Sequence, residues 1–207
     1  MRHLVREQLG NTLSVMQKVM DDEGLGRALS DAAAETARAL LAGHKLLVAG
    51  NGGSAADAQH LVAEFVSRLT IDRPAMRAVA LTTDSSILTA VGNDYGYEHV
   101  FERQIEALGQ PGDVFLGIST SGQSPNVLRA VELCRKSKIT TIGFSGKNGG
   151  KMAPLCDYNV IIPSSATQHI QVCHLALEHI FCMIVERCYF GPEIFEPQLE
   201  PVVKANR

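Results

Sequence analysis

His60 and Glu64 stand four residues apart, just after a glycine-rich turn, Gly50-Asn51-Gly52-Gly53-Ser54. On a helix that spacing stacks the two side chains on one face. An imidazole and a carboxylate so placed can share a metal ion, work as an acid/base pair on a bound substrate, or form a plain surface pair. The turn before them narrows the choice. A short apolar run, Leu46-Leu47-Val48-Ala49, enters it, and a helical pattern leaves it. Strand, turn and helix in that order aim backbone N–H groups at an anion. Gly50, Gly52 and Gly53 allow the close backbone approach this needs, and Ser54 can cap the helix while still offering a hydroxyl. No Gly-Lys-Ser/Thr follows, and the glycines do not fit Gly-x-Gly-x-x-Gly. A sugar phosphate is therefore expected here rather than a nucleotide.

A second junction has the same character. The apolar run Asp113–Ile118 leads into Ser119-Thr120-Ser121-Gly122-Gln123-Ser124-Pro125-Asn126 and then a helix to about Lys136. Hydroxyls there can donate to phosphate oxygens, and Pro125 suits a first helical turn. An ordinary serine-rich capped loop would look the same. Far along the chain, residues 168–189 form a largely apolar helical stretch holding Gln171, His174 and His179. A lone polar group on such a helix is most simply a satisfied core residue, the reading given to His174. Gln171 and His179 lie on one stripe but roughly 12 Å apart along the axis, so they reach one site only by leaning together or by subunits sharing the site.

The elements that must position these residues alternate. Helices are expected over 3–21 and from about 25 to Leu41, then a strand at Lys45–Ala49 and a helix over 54–69. A strand at Arg77–Leu81, a helix capped by Thr83-Asp84 and running to Val91, a polar turn at 92–97 and a helix over 98–108 follow. Later strands are expected at Asp113–Ile118, Ile139–Phe144 and Tyr158–Ile162. The loop Ser145–Gly150 reads as a turn and not a site. Five apolar strands alternating with helices predict an α/β three-layer sandwich around a five-stranded parallel sheet. Both glycine- and serine-rich loops then fall at its carboxyl edge, where ligands bind. Residues 1–192 read as one domain, with 193–207 as an exposed tail.

The chain has 207 residues, of which 45% are hydrophobic and 20% charged, enough for a sizeable core. A net charge of −3 argues against bulk electrostatic binding of nucleic acid. No apolar run approaches the ~20 residues that span a bilayer, and no leader core follows the N-terminus, so a cytoplasmic location is expected. The 5 cysteines lack a Cys-x-x-Cys pair and read as reduced, packed thiols.

Taken together, Gly-Asn-Gly-Gly-Ser at 50–54, His60 with Glu64, Gly-Asn-Asp at 92–94, Ser-Thr-Ser-Gly-x-Ser at 119–124 and Gln171 with His179 resemble the phosphoheptose isomerases. These are sugar-isomerase (SIS) domain enzymes that interconvert sedoheptulose 7-phosphate and D-glycero-D-manno-heptose 7-phosphate. The resemblance implies a flavodoxin-like SIS fold whose N-terminal helices extend to partner subunits in a homotetramer. It implies that Asn51, Gly52, Gly53, Ser54, Glu64, Asn93, Asp94 and Gln171 hold the sugar. Ser119, Thr120, Ser121 and Ser124 would hold the phosphate. Zinc, one ion per subunit, would be bound by His60, Glu64, Gln171 and His179, with Glu64 and His179 as the catalytic pair. The product would feed heptose synthesis for lipopolysaccharide or other surface glycans. Two departures stand out: Val172 where several members carry Glu, and no acidic residue in 164–169. A non-catalytic SIS adaptor of the replication-initiator-associating type is the rival, disfavoured because Glu64 and His179 are both present. A sugar-sensing SIS regulator would need a DNA-binding domain for which the sequence has no room.

Overall fold

The computed structural model describes residues 1–191; the tail assigned to 193–207 lies outside the described residues. Two long helices, α1 (Arg2–Asp21) and α2 (Glu23–Leu41), precede the first strand. Asp22 separates them by accepting from the Leu25 N–H with its side chain, a helix N-cap. The rest alternates: β1 (Leu46–Gly50), α3 (Gly53–Val66), β2 (Ala78–Ala80), α4 (Ser85–Asp94), α5 (Glu102–Leu108) and β3 (Val114–Ser119). Then come α6 (Pro125–Lys136), β4 (Thr140–Gly146), β5 (Tyr158–Ile162) and α7 (Thr167–Phe190).

The five strands form one sheet in the order β2-β1-β3-β4-β5, every pair parallel. β1 and β3 are buried at every position, which is why both read as unbroken apolar runs rather than alternating ones. Helices α1, α2, α3 and α7 cover one face, with Leu46, Val48, Leu116 and Phe144 pointing into that layer. Helices α5 and α6 cover the other over Leu47, Ala49 and Phe115. Chain order therefore reverses between β1 and β3, and the loops leaving them go to opposite faces. That switch point opens a crevice at the carboxyl edge.

Several expected bounds differ, among them the end of α3, at Val66 and not 69, and that of β4, which runs on to Gly146 through the first two residues of the expected turn 145–150. Helix α4 runs on through Gly92, Asn93 and Asp94, because the break is supplied by Gly96 at φ +96° and not by Gly92. The helix expected over 98–108 is split into a 3-10 turn at Tyr97–His99 and the shorter α5. Helix α3 starts one residue early, at Gly53, with Gly52 as its cap residue at φ +57°. Ser54 is accordingly inside the first turn and buried, so it does not cap the helix.

Helices α3 and α7 are neighbours and set the site. Ser54, Ala58, Leu61 and Phe65 form the buried stripe of α3, spaced by three or four residues. His60 and Glu64 each precede a buried residue of that stripe, so both are turned to the helix flank. On α7, Gln171 follows buried Ile170 and His179 follows buried Glu178. The stripes meet at Phe65 and Phe181, whose ring centroids are 6.2 Å apart, and both rings are fully buried. Truncating such a ring costs about 3–5 kcal/mol, so this contact is a strong lock on the seam.

Candidate active site at the α3–α7 seam

At the seam three side chains converge. His60 Nε2 lies 2.9 Å from His179 Nε2 and 3.4 Å from Glu64 Oε1. One ligand atom from each of the three falls within 4.8 Å of the others. The two imidazoles meet edge-on at 90°. Two ring nitrogens and a carboxylate oxygen turned to one point, partly open to solvent, are a donor set that fits a divalent cation such as zinc. They equally allow proton transfer between neighbouring groups. Gln171, the fourth residue expected here, is placed elsewhere. Its amide lies against Gly53 at the start of α3, roughly 10 Å along that helix from His60. The serial distance noted between Gln171 and His179 is thus kept in space, because α3 and α7 run side by side in the same direction.

The two loops at the carboxyl edge are joined. Asn51 Nδ2 donates to Asn126 Oδ1 at 2.9 Å, and Asn126 Nδ2 donates back to Asn51 Oδ1 at 2.8 Å. This reciprocal amide pair spans the crevice between β1 and β3. Asn126 is buried, and nothing in its sequence position announced it. Beside it, Ser119 and Ser124 share a hydrogen bond through their hydroxyls at 2.9 Å. Ser121 Oγ accepts from the Gln123 N–H at 3.2 Å. Pro125 opens α6, as expected of a residue without an N–H to place. A cavity of about 400 Å³ opens here, lined by Asn51, Tyr97, Glu98, Ser124, Pro125 and Asn126. Tyr97 and Glu98 come from the 3-10 turn and were not singled out in the sequence. Asn93 and Asp94 sit exposed on the last turn of α4, where the Asn93 amide donates to the Asp94 carboxylate at 2.7 Å.

The end of β4 and the segment after it, read above as a turn without a role, brace the serine loop. The Gly146 N–H donates to the Thr120 carbonyl at 3.1 Å and the Met152 N–H to the Gly122 carbonyl at 3.1 Å. Gly122, at φ +62°, lies directly against the backbone of Gly149 and Gly150. A side chain at this position has no space.

Below the open cluster lies a second polar group. His174, buried as expected, donates from Nε2 to the Ser145 carbonyl oxygen at 3.0 Å. Burial lowers its pKa to about 4, the Ser145 bond opposing. Glu178 is buried with both oxygens unpartnered, and burial, then the nearby Asp57 carboxylate, push it up to about 8. Asp57 is itself raised by burial, with His60 pulling it back. Cys182 is held well above the usual thiol range by burial and by Glu64, Glu178 and Glu186 around it. Such a thiol is not a thiolate ligand at neutral pH.

Comparison with known proteins agrees with this architecture. The SIS domain family matches residues 10–146. Phosphoheptose isomerase 2 of Campylobacter jejuni is 50% identical over 187 residues, covering 90% of this chain and 93% of its own. The phosphoheptose isomerase of Aneurinibacillus thermoaerophilus is 48% identical over 190 residues, covering 92% and 96%. Among solved structures, the phosphoheptose isomerase of Neisseria gonorrhoeae superposes with a TM-score of 0.83 at 39% identity, over 89% of this chain and 98% of that one. That of Francisella tularensis gives 0.85 at 32% identity, over 89% and 97%. The SIS fold, the identity over nearly the whole chain and the His/Glu/His cluster coincide in one molecule, and the chain belongs to the phosphoheptose isomerase family of SIS-domain proteins.

Proposed function

We infer that this protein is a phosphoheptose isomerase, interconverting sedoheptulose 7-phosphate and D-glycero-D-manno-heptose 7-phosphate. The observation that carries this reading is the convergence of Glu64, His60 and His179 at the seam of α3 and α7, α3 being the helix that leaves the first glycine turn, in a chain half identical to isomerases of that name. The phosphate docks on Ser119, Thr120, Ser121 and Ser124, where hydroxyls and the N-terminus of α6 meet it. The sugar lies between Asn51, Gly52, Gly53, Ser54 and the adjoining Gln171 on one side and Asn93 and Asp94 on the other.

The reaction moves one proton between neighbouring carbons. Glu64, only partly exposed, takes the proton from the carbon beside the carbonyl and leaves an enediolate. It returns that proton to the other carbon. His179 gives and takes the oxygen-bound proton, so that the carbonyl migrates with no net gain or loss. His60, touching both, orients them. His60, Glu64 and His179 would hold a zinc ion, which would supply Lewis-acid polarisation of the substrate oxygens, whereas Gln171, expected as a fourth ligand, lies against Gly53 instead.

The same reading makes the protein a homotetramer whose first helix packs on partner subunits. Leu4, Val5, Leu9, Leu13 and Met20 of α1 are exposed, an apolar set of the kind that marks a contact with a partner. Residues 1–192 act as one unit in this account, the enzyme works in the cytoplasm, and its product supplies heptose for lipopolysaccharide or related glycans. Among the described residues no helix is long and apolar enough to cross a membrane. The test is conversion of sedoheptulose 7-phosphate to an aldose by the purified protein, first stripped with chelator and then resupplied with zinc. Aldose formation restored by zinc supports the reading; no aldose under either condition overturns it.

A further inference from the structure

Beyond the cluster itself, a single buried ion pair ties together the two helices that carry it. Arg73 sits in the loop between α3 and β2, and its side chain is 2% exposed; its partner Glu186, near the end of α7, is fully buried. Arg73 Nε and one terminal nitrogen both reach Glu186 Oε1 at 2.8 Å. The other oxygen of Glu186 accepts from Thr70 Oγ1 at 3.0 Å. The remaining guanidinium N–H groups turn to the end of α3. They donate to the carbonyl of Glu64 at 2.6 Å, of Phe65 at 2.7 Å, of Pro74 at 3.2 Å and of Ser67 at 3.4 Å.

These acceptors matter. The last carbonyls of a helix have no partner within it, and a cation there also meets the negative end of the helix dipole. Arg73 closes that end at the main chain of Glu64, the residue assigned above as base. Glu186 lies seven residues beyond His179, two turns along the same stripe of α7. One planar fork therefore joins the backbone of Glu64 to the stripe that carries His179. Lysine cannot do this, because a single ammonium lacks the divergent, fixed N–H directions.

We propose that Arg73, held by Glu186, is a positioning residue that fixes the axial register and rotation of α3 against α7, and so the spacing of His60 and Glu64 from His179. This rests on the functional reading of that cluster. A general stabilising role would lower the melting temperature and leave the cluster's own properties intact once the protein is folded.

The test compares wild type, Arg73→Lys, Glu186→Gln and Thr70→Val. Each is titrated with Co(II) alone, followed by its visible absorption, and each is assayed for kcat and KM. Arg73→Lys is expected to weaken Co(II) binding 10- to 100-fold and to lower kcat by a like factor, with KM within about threefold. Glu186→Gln should move both quantities the same way by less, since its amide oxygen still accepts, and it decides the matter if Arg73→Lys does not fold. Thr70→Val removes a bond to Glu186 but spares the fork, and should leave Co(II) affinity and kcat near wild type. A folded Arg73→Lys or Glu186→Gln with wild-type affinity and kcat overturns the proposal, as does Thr70→Val weakening both equally. Wild type that turns over substrate without binding Co(II) overturns the metal reading instead, and the kcat and KM comparison then tests the positioning role by itself.

Discussion

At the scale of single residues, what matters is where charge and protons are held. Glu64 and His179 reach one point because each sits beside, not in, the buried stripe of its helix. Replacing Glu64 by Gln keeps the shape and removes the base. kcat is expected to fall about 10²- to 10⁴-fold in steady-state assays, with the fold unchanged by circular dichroism. His174 gives a pH signature. Its folded pKa of about 4 lies below the ordinary 6.5, so the unfolded chain binds the extra proton first. The stability it contributes is complete above pH 6.5 and is lost as pH falls through 4. Urea unfolding should show wild type losing on the order of 3 kcal/mol relative to His174→Gln between pH 7 and 4. The difference between the two proteins isolates His174 from the many carboxylates that also titrate there. His60 with Glu64 was legible in the sequence, because an i, i+4 pair after a glycine turn has one simple geometry. Asn126, Arg73 and Glu186 were not. Their meaning comes from partners 75, 8 or 9, and 113 residues away, which only the folded topology brings near.

At the scale of elements, the strands were readable and the helix ends less so. Unbroken apolar runs such as Val114–Ile118 mark strands covered on both faces, whatever else happens around them. Helix ends depend on which glycine takes a positive φ, and Gly52 and Gly96 do so where Ser54 and Gly92 were the natural choices from sequence. Two glycines with different neighbours separate loop function from loop stability. A Cβ on Gly53 meets only the end of the flexible Gln171 side chain, so Gly53→Ala should fold normally and lower kcat/KM roughly tenfold by displacing that amide. A Cβ on Gly122 meets backbone of Gly149 and forces a left-handed residue, so Gly122→Ala should cost about 1–3 kcal/mol and raise KM by loosening the serine loop. Thermal melts and steady-state kinetics on both variants distinguish the two outcomes.

For the whole molecule, the α/β sandwich was predictable from alternation alone, and its strand order was not. Sequence order is silent on which strand pairs with which; the placement of β1 beside β3 is what creates the crevice. Leu9, Leu13, Met16 and Met20 recur at helical spacing in the sequence, but such a stripe does not say what covers it. Leu9 and Leu13 are 61% and 66% exposed, and they are expected to be buried between subunits. Leu9→Asp with Leu13→Asp should shift the mass in solution from four times the 22.3 kDa chain to a smaller species, by light scattering, with activity falling alongside. A wild-type protein already monomeric at micromolar concentration would remove the tetramer from the account.

We place an aldose–ketose isomerisation at the α3–α7 cluster. Its most direct test is product formation from sedoheptulose 7-phosphate, with and without added zinc, by wild type beside His179→Gln. Zinc-supported turnover is expected from wild type, with a loss of at least a hundredfold in the folded variant. Equal turnover by the two proteins would contradict it.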